Sequence, residues 1–180
     1  QAGLFRFANG GEYVADDAGP GQWLVPDTNH HALRFLHAGS LAQLRHIPLA
    51  GGWAAMARVS RNPGQYTVAL MGAGMDKGRV VDLDAQGNVQ FSFALPEDAR
   101  PRGLTWLGDR LLVADAEHFA FHAYARNGNP LGAWGGPALK AHLARAGDYA
   151  HDWRLALRLS QILGGLCLFA ALAIYFASKR

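Results

Sequence analysis

The chain has 180 residues, half of them apolar, and one cysteine, at position 167, so an intramolecular disulfide and a cysteine-rich metal cluster are excluded. Its net charge of +3 is unevenly placed: residues 1–136 carry 12 acidic and 11 basic side chains, and residues 137–180 carry two acidic and six basic ones. The near-neutral main region lacks the basic patch that nucleic-acid binding requires, so we expect no nucleic-acid partner.

Two segments of the main region resemble each other. LVPDTNHHALRFLHAGS at 24–40 and LLVADAEHFAFHAYARNGN at 111–129 place Asp27 and Asp115 88 residues apart, which is twice 44. A third copy should then lie near residue 71, where YTVALMGAG at 66–74 is an apolar run that ends in a glycine turn. A fixed period of this length is typical of repeat architectures.

Each copy divides into four short apolar segments separated by turn residues. The first segments are 12–16, 53–59 and 103–107, and the second lie within the three runs just described. The third are 32–36, 78–83 and 119–125, and the fourth are 41–47, 89–95 and 130–134, each preceded by a turn with Gly39, Gly87 or Gly128. Four strands in about 44 residues predict an all-β fold of propeller-like, four-stranded antiparallel blades over residues 1–136.

The polar residues of these copies also resemble the NHL-repeat family of β-propellers. Its pattern is an apolar strand ending in Asp, then an Asn-His pair, a second strand ending in an aromatic residue, and a glycine turn. Asp27, Asn29 and His30 match it, and Asp115 and His118 match it again with Glu117 at the Asn position. The middle copy has lost the polar cluster. The resemblance covers roughly residues 5–135 and implies a propeller with about three blades, but it says little about function.

Three blades are too few to close a ring, because propellers typically close with four to eight. Three arrangements would solve this. Blades upstream of residue 1 would belong to the same ring, two copies of the chain would associate, or an open array would be capped by a partner.

Eight histidines invite a catalytic or metal-binding interpretation. However, His30 and His118 lie at equivalent repeat positions, which favours a structural hydrogen bond to a backbone carbonyl or to the nearby aspartate. Asp27 and Asp115 end their strands, which suits a carboxylate that accepts backbone N–H groups in a turn. His31 and His122 would face solvent or a channel. Since no familiar zinc-ligand spacing is present, we expect no catalytic, cofactor or metal site.

Several arginines are expected in loops at the blade edges, where they would meet solvent or an acidic partner surface. These candidate partner-binding residues are Arg58, Arg61, Arg100 and Arg102.

Residues 137–152 predict a short amphipathic helix and a linker. Pro137 is at a favoured first helical position, Leu139 and Leu143 are four apart, and Gly147 is expected to end the helix.

Residues 153–178 predict a single transmembrane helix. Positions 159–177 hold no charge, and at 1.5 Å per residue they would extend about 28 Å, close to the thickness of a bilayer core. Trp153 and Tyr175, with Arg154 and Arg158, are expected at the membrane interfaces. A face of small residues would pack on another transmembrane helix: Ser160, Gly164, Cys167 and Ala171.

These features together predict a membrane-anchored binding or scaffold subunit of a membrane protein assembly, with the propeller on the periplasmic side. Its expected partners are the lipid bilayer and other membrane subunits, or further copies that complete the propeller. One alternative is a propeller lyase or lactonase with a metal in the central channel. Another is a ligand-sensing module.

Overall fold

Three four-stranded antiparallel sheets, each formed by consecutive strands, account for the main region of the computed structural model. The structure describes residues 8, 10–16, 19–49, 53–60, 64–71 and 77–177, with side chains at all of these except 16, 53–60, 77, 168 and 170–177. The chain divides into two compact units, Gln1–Gly135 and Gly136–Arg180.

Sheet 1 consists of β1 (Glu12–Asp16), β2 (Gly19–Asp27), β3 (Ala32–His37) and β4 (Gln43–Pro48). Sheet 2 consists of β5 (Trp53–Ser60), β6 (Tyr66–Met71), β7 (Lys77–Leu83) and β8 (Val89–Glu97). Sheet 3 consists of β9 (Pro101–Leu107), β10 (Arg110–Asp115), β11 (Ala120–Ala125) and β12 (Pro130–Ala133). The prediction of four-stranded antiparallel units is therefore confirmed, although β2 begins at Gly19 rather than near Leu24.

The two similar segments adopt the same hairpin. Asp27 pairs with Ala32 at the end of the β2–β3 ladder, and Asp115 pairs with Ala120 at the end of the β10–β11 ladder. The chain reverses through left-handed residues at equivalent positions, His31 with φ of 51° and Phe119 with φ of 47°. The repeat thus extends to a backbone conformation that residues other than glycine seldom adopt.

Sheet 2 is covered on both faces. Because side chains alternate along a strand, Val68 and Leu70 of β6 pack in a buried cluster with sheet 1, while Ala69 between them packs in a second cluster with sheet 3. All six residues of β6 are buried. The first cluster takes Leu24, Leu33, Phe35 and Ile47 from sheet 1 and Leu49 from the segment just after β4, and the sheet-3 members of the second are Leu104, Leu111, Val113 and Tyr124.

Polar side chains also connect neighbouring sheets. The Arg45 guanidinium lies 3.8 Å from the centre of the Phe35 ring and donates to Tyr66 Oη at 2.6 Å. Between sheets 2 and 3, Trp106 Nε1 donates to Thr67 Oγ1 at 3.2 Å, and the Thr67 hydroxyl donates to Asp82 at 2.6 Å. Because Tyr66 and Thr67 are buried, these bonds satisfy groups that burial would otherwise leave unpaired.

The turn between the last two strands of a sheet contacts the preceding sheet. Gly87, with φ of 90°, lies against Ile47, and Gly128, with φ of 79°, lies against Phe93. A Cβ at residue 128 would lie 2.9 Å from the Phe93 ring. Glycine is therefore required at both turns by conformation and by space.

Helix α1 (Pro137–Ala177) is continuous over 41 residues. The predicted end at Gly147 is wrong. A glycine inside a helix costs about 1 kcal/mol relative to alanine, and the strong helix formers in the rest of α1, among them the run from Arg154 to Leu159, offset that cost. The predicted amphipathic helix and linker are therefore the first turns of the helix that also contains the predicted membrane segment. Within the described part of the chain, no helix is both long enough and apolar enough to cross a membrane.

The turn contacts give a stability prediction with an internal control. Gly128→Ala should destabilise the fold by about 3 kcal/mol, because left-handed strain adds to a clash with Phe93. Gly108 has φ of 59°, but a Cβ at that position would meet nothing within 4 Å, so Gly108→Ala should cost only the strain, about 1 kcal/mol. Urea unfolding of both variants measures the difference, and equal losses would contradict the turn contact.

Candidate functional site

The most concentrated polar cluster surrounds the buried carboxylate of Asp115 at the end of β10. Asp115 Oδ1 accepts backbone N–H groups of Arg100 and Glu117, both at 3.0 Å, and of His118 at 3.4 Å. Asp115 Oδ2 points the other way. It accepts a hydrogen bond from His118 Nδ1 at 2.6 Å and lies 3.3 Å from His122 Nε2. Backbone donors therefore fix the carboxylate so that its second oxygen faces two imidazoles.

The electrostatics of the cluster favour an ionised Asp115. Burial opposes ionisation of its carboxyl, but the hydrogen bonds from the His118 side chain and from three backbone N–H groups outweigh burial, so its pKa lies below the ordinary value. Nearby, burial and then the negative charge of Asp115 raise the pKa of Tyr124 to about 12. The structure thus holds a fixed negative charge beside two imidazoles, of which His118 is exposed and His122 is partly exposed.

The equivalent cluster in sheet 1 has a different third member. Asp27 Oδ2 accepts from His30 Nδ1 at 2.6 Å, as in sheet 3, and also from Arg34 Nε at 2.6 Å. Arg34 and His122 occupy the same ladder position, since Arg34 pairs with Val25 and His122 pairs with Val113. A guanidinium therefore stands in sheet 1 where an imidazole stands in sheet 3.

Sequence reasoning placed Asp27, His30, Asp115 and His118 in one structural motif, and the structure brings each aspartate and histidine together. It missed that Arg34 and His122 complete the two clusters. The sequence shows this difference seven residues after each aspartate, where one repeat has Arg34 and the other has His122. Asn29 is exposed in the 3-10 turn Thr28–His30. Glu117, at the corresponding position, pairs with Arg100 at 3.4 Å.

The arginines that were expected in loops are distributed differently. Arg100 lies in the turn before β9, but Arg102 lies within β9 and Arg58 within β5. For Arg58 and Arg102 the loop prediction is wrong: β9 begins at Pro101, two residues before the predicted segment 103–107, and Arg58 lies inside β5, where the predicted segment 53–59 already placed it. Arg61 lies outside the described residues.

The helix residues assigned to the membrane lie on exposed positions of α1 as far as their side chains are described. Trp153 makes an edge contact with Tyr149 at 6.2 Å, and Ser160 Oγ donates to the Leu157 carbonyl at 2.8 Å. Also exposed are Arg154, Arg158, Gly164 and Cys167. The side chains of Ala171 and Tyr175 lie outside those that the structure describes.

No protein-family model and no curated protein matches the chain. Among solved structures, a Bacteroides caccae protein of unknown function matches with a TM-score of 0.49 and 17% identity over 71% of this chain and 45% of its own. BBS1N, crystallised in complex with ARL6DN, matches with a TM-score of 0.50 and 18% identity over 72% of this chain and 41% of its own. BBS1N has a propeller-like fold, and at this identity the likeness concerns the fold alone. The chain covers less than half the length of either structure.

The buried Asp27–Arg34 pair should be important for stability. Asp27→Ala leaves a mostly buried guanidinium without its carboxylate and should cost about 3 kcal/mol. Asp109→Ala removes an Asp–Arg pair at similar distance, 3.0 Å to Arg126, but both of its side chains are exposed. That variant should lose less than about 1 kcal/mol. Thermal and urea unfolding compare the two, and similar losses would show that burial does not distinguish the pairs.

The raised pKa of Tyr124 predicts an alkaline loss of stability. The folded state keeps the phenol proton up to about pH 12, whereas an unfolded chain releases it near pH 10. The stability from this group is therefore complete below pH 10 and is lost between about pH 10 and 12. Tyr124→Phe should flatten the fall in unfolding free energy over that range. Parallel curves for the two proteins would rule out this contribution.

Proposed function

We propose that this chain is a membrane-anchored, NHL-like propeller subunit that binds protein partners within a membrane assembly. The observation that carries the proposal is the far face of sheet 1. Leu24 and Phe35 direct one face of this sheet to sheet 2, so Trp23 lies on the opposite face, beside Tyr13 with ring centres 5.6 Å apart. Tyr13 is 49% exposed and Trp23 is 37% exposed.

An exposed aromatic pair on a sheet face is suited to association. Aromatic residues are enriched in the centres of protein interfaces, where they bury a large area at low entropic cost. Sheet 2 provides the internal comparison, because it buries apolar side chains on both faces. In a propeller every blade is covered in this way. A sheet from a second copy or from another subunit would cover Trp23 as sheet 1 covers Val68.

The anchoring part of the proposal rests on α1. From Leu155 to Phe169 its described large apolar side chains are at least half exposed, and the sequence continues without a charge from position 159 to position 177. In water such a surface is unfavourable, whereas lipid would cover it. The exposed apolar residues are Leu155, Leu157, Leu159, Ile162, Leu163, Leu166 and Phe169.

Three further features agree with the proposal, one with the location and two with the binding role. The sheet region is nearly neutral and free of cysteine, which suits an extracytoplasmic, periplasmic location. BBS1N, a propeller-like protein of similar fold, was crystallised with a protein partner, ARL6DN, which is consistent with a role in protein recognition. The exposed Arg102 at the start of β9 would add contacts to an acidic partner surface.

Purification of the full chain in mild detergent tests the binding role. We expect a stable complex, with copies of the chain or with defined membrane subunits, visible by light scattering after size exclusion. Trp23→Glu should weaken this association at least about tenfold, because it places a charge on the proposed interface. Val89→Glu is the matched control, since Val89 is an exposed strand residue of sheet 2 and is 57% exposed. A clean monomer without partner, or equal effects of the two variants, would refute the proposal.

Carbonate extraction of membranes tests the anchor separately. The chain should remain with the membrane pellet, and Leu163→Arg combined with Leu166→Arg should release it, because charges in the bilayer centre are costly. Release of the parent chain by carbonate would contradict the anchor while leaving the binding role open to the first test.

A further inference from the structure

The Asp115 cluster contains the elements of a metal site. Asp115, His118 and His122 each place a ligand atom within 4.8 Å of those of the other two. We infer that these three side chains bind a divalent transition-metal ion, best matched by Zn²⁺, within a single hairpin of sheet 3. This goes beyond the proposed binding role and does not depend on it.

The distances fit a tetrahedral ion with small movements. Zinc lies about 2.0–2.1 Å from nitrogen and oxygen ligands, which sets neighbouring ligand atoms about 3.3 Å apart. Asp115 Oδ2 and His122 Nε2 are already 3.3 Å apart. The 2.6 Å separation of Asp115 Oδ2 and His118 Nδ1 is a hydrogen bond, and it must open by about 0.7 Å when the ion replaces the proton. A neutral His118 then carries its proton on Nε2 instead of Nδ1, and a protonated His118 releases one proton to solvent.

The surroundings prepare the carboxylate for this role. Three backbone N–H groups hold Asp115 Oδ1 and leave Oδ2 as the ligand atom. Such hydrogen bonds to a ligand fix its orientation and contribute to affinity. The His118 side chain is 44% exposed and that of His122 is 23% exposed, so an ion can enter from solvent. Three protein ligands also leave a fourth position for water or for a ligand from another molecule.

The ligand types select the class of metal. Two imidazoles and one carboxylate suit zinc and its neighbours in the first transition row. Calcium and magnesium prefer shells made entirely of oxygen, so they should compete poorly.

The equivalent cluster in sheet 1 contains Arg34 in place of the second histidine, so we expect it to bind no metal. Asp27 and His30 reproduce the geometry of Asp115 and His118, but Arg34 supplies a permanent cation at the third position. Its Nη2 also lies 3.1 Å from His30 Nδ1, on the atom that a metal would need. The guanidinium neutralises Asp27 from within the protein, and the corresponding charge in sheet 3 is left for an external cation.

The two equivalent hairpins, one in sheet 1 and one in sheet 3, allow a matched experiment. The full chain, stripped with a chelator, is titrated with Zn²⁺ by calorimetry and with Co²⁺ by visible absorption, which reports tetrahedral coordination. We expect one equivalent of Zn²⁺ per chain and no displacement by excess Ca²⁺ or Mg²⁺. His122→Arg copies the sheet-1 arrangement into sheet 3, so it should fold with an unchanged melting temperature in chelator and bind zinc at least about tenfold more weakly.

The reverse change tests for gain of binding. Arg34→His gives sheet 1 the ligand set of sheet 3 and should raise the stoichiometry to two equivalents. The inference is overturned if the parent chain binds no zinc, or if His122→Arg binds it as tightly as the parent. A folded Arg34→His variant that stays at one equivalent would show that the shared Asp–His geometry does not create the site.

Discussion

A β-sheet with apolar side chains on both faces must be covered on both faces, and the organisation of the main region depends on this constraint. The middle sheet satisfies it within the chain, with alternate residues of one strand directed into two separate cores. The regular period of 44 residues is a consequence, since successive sheets can stack alike only if their strands repeat in length and order. The turn glycines at 87 and 128 are a further result, because each lets a turn approach the neighbouring sheet.

The same period explains which parts of the fold could be predicted from the sequence. Apolar alternation and glycine turns located the twelve strands of the described residues, because both signals are local. The end of the helix that begins at Pro137 could not be located in this way. Glycine commonly ends a helix, but whether it does so depends on the residues beyond it, and here the strong helix formers from Arg154 to Leu159 continue the helix. Arg102 was misplaced for a related reason, since the start of β9 depends on its pairing with β10.

The candidate site was half predictable. An aspartate and a histidine three residues apart meet within one turn, so their contact can be inferred from spacing alone. The residue seven positions after the aspartate meets them only after the chain has reversed and paired with the preceding strand. The contact of this residue with the aspartate therefore can be predicted only from the hairpin register, in which Val25 pairs with Arg34 and Val113 pairs with His122. A comparison of the repeats position by position would have identified this difference.

The two hairpins share a backbone, including the left-handed residues at 31 and 119, and differ in the cation placed beside a common carboxylate. In a repeat protein, stable folding and the binding of an external ion can thereby be assigned to different copies of the same hairpin. One hairpin can keep the internally neutralised form that secures folding, while its duplicate is free to vary. Arginine and histidine codons can differ by one nucleotide, so the change from a self-sufficient blade to one that takes its positive charge from the surroundings is a short evolutionary step.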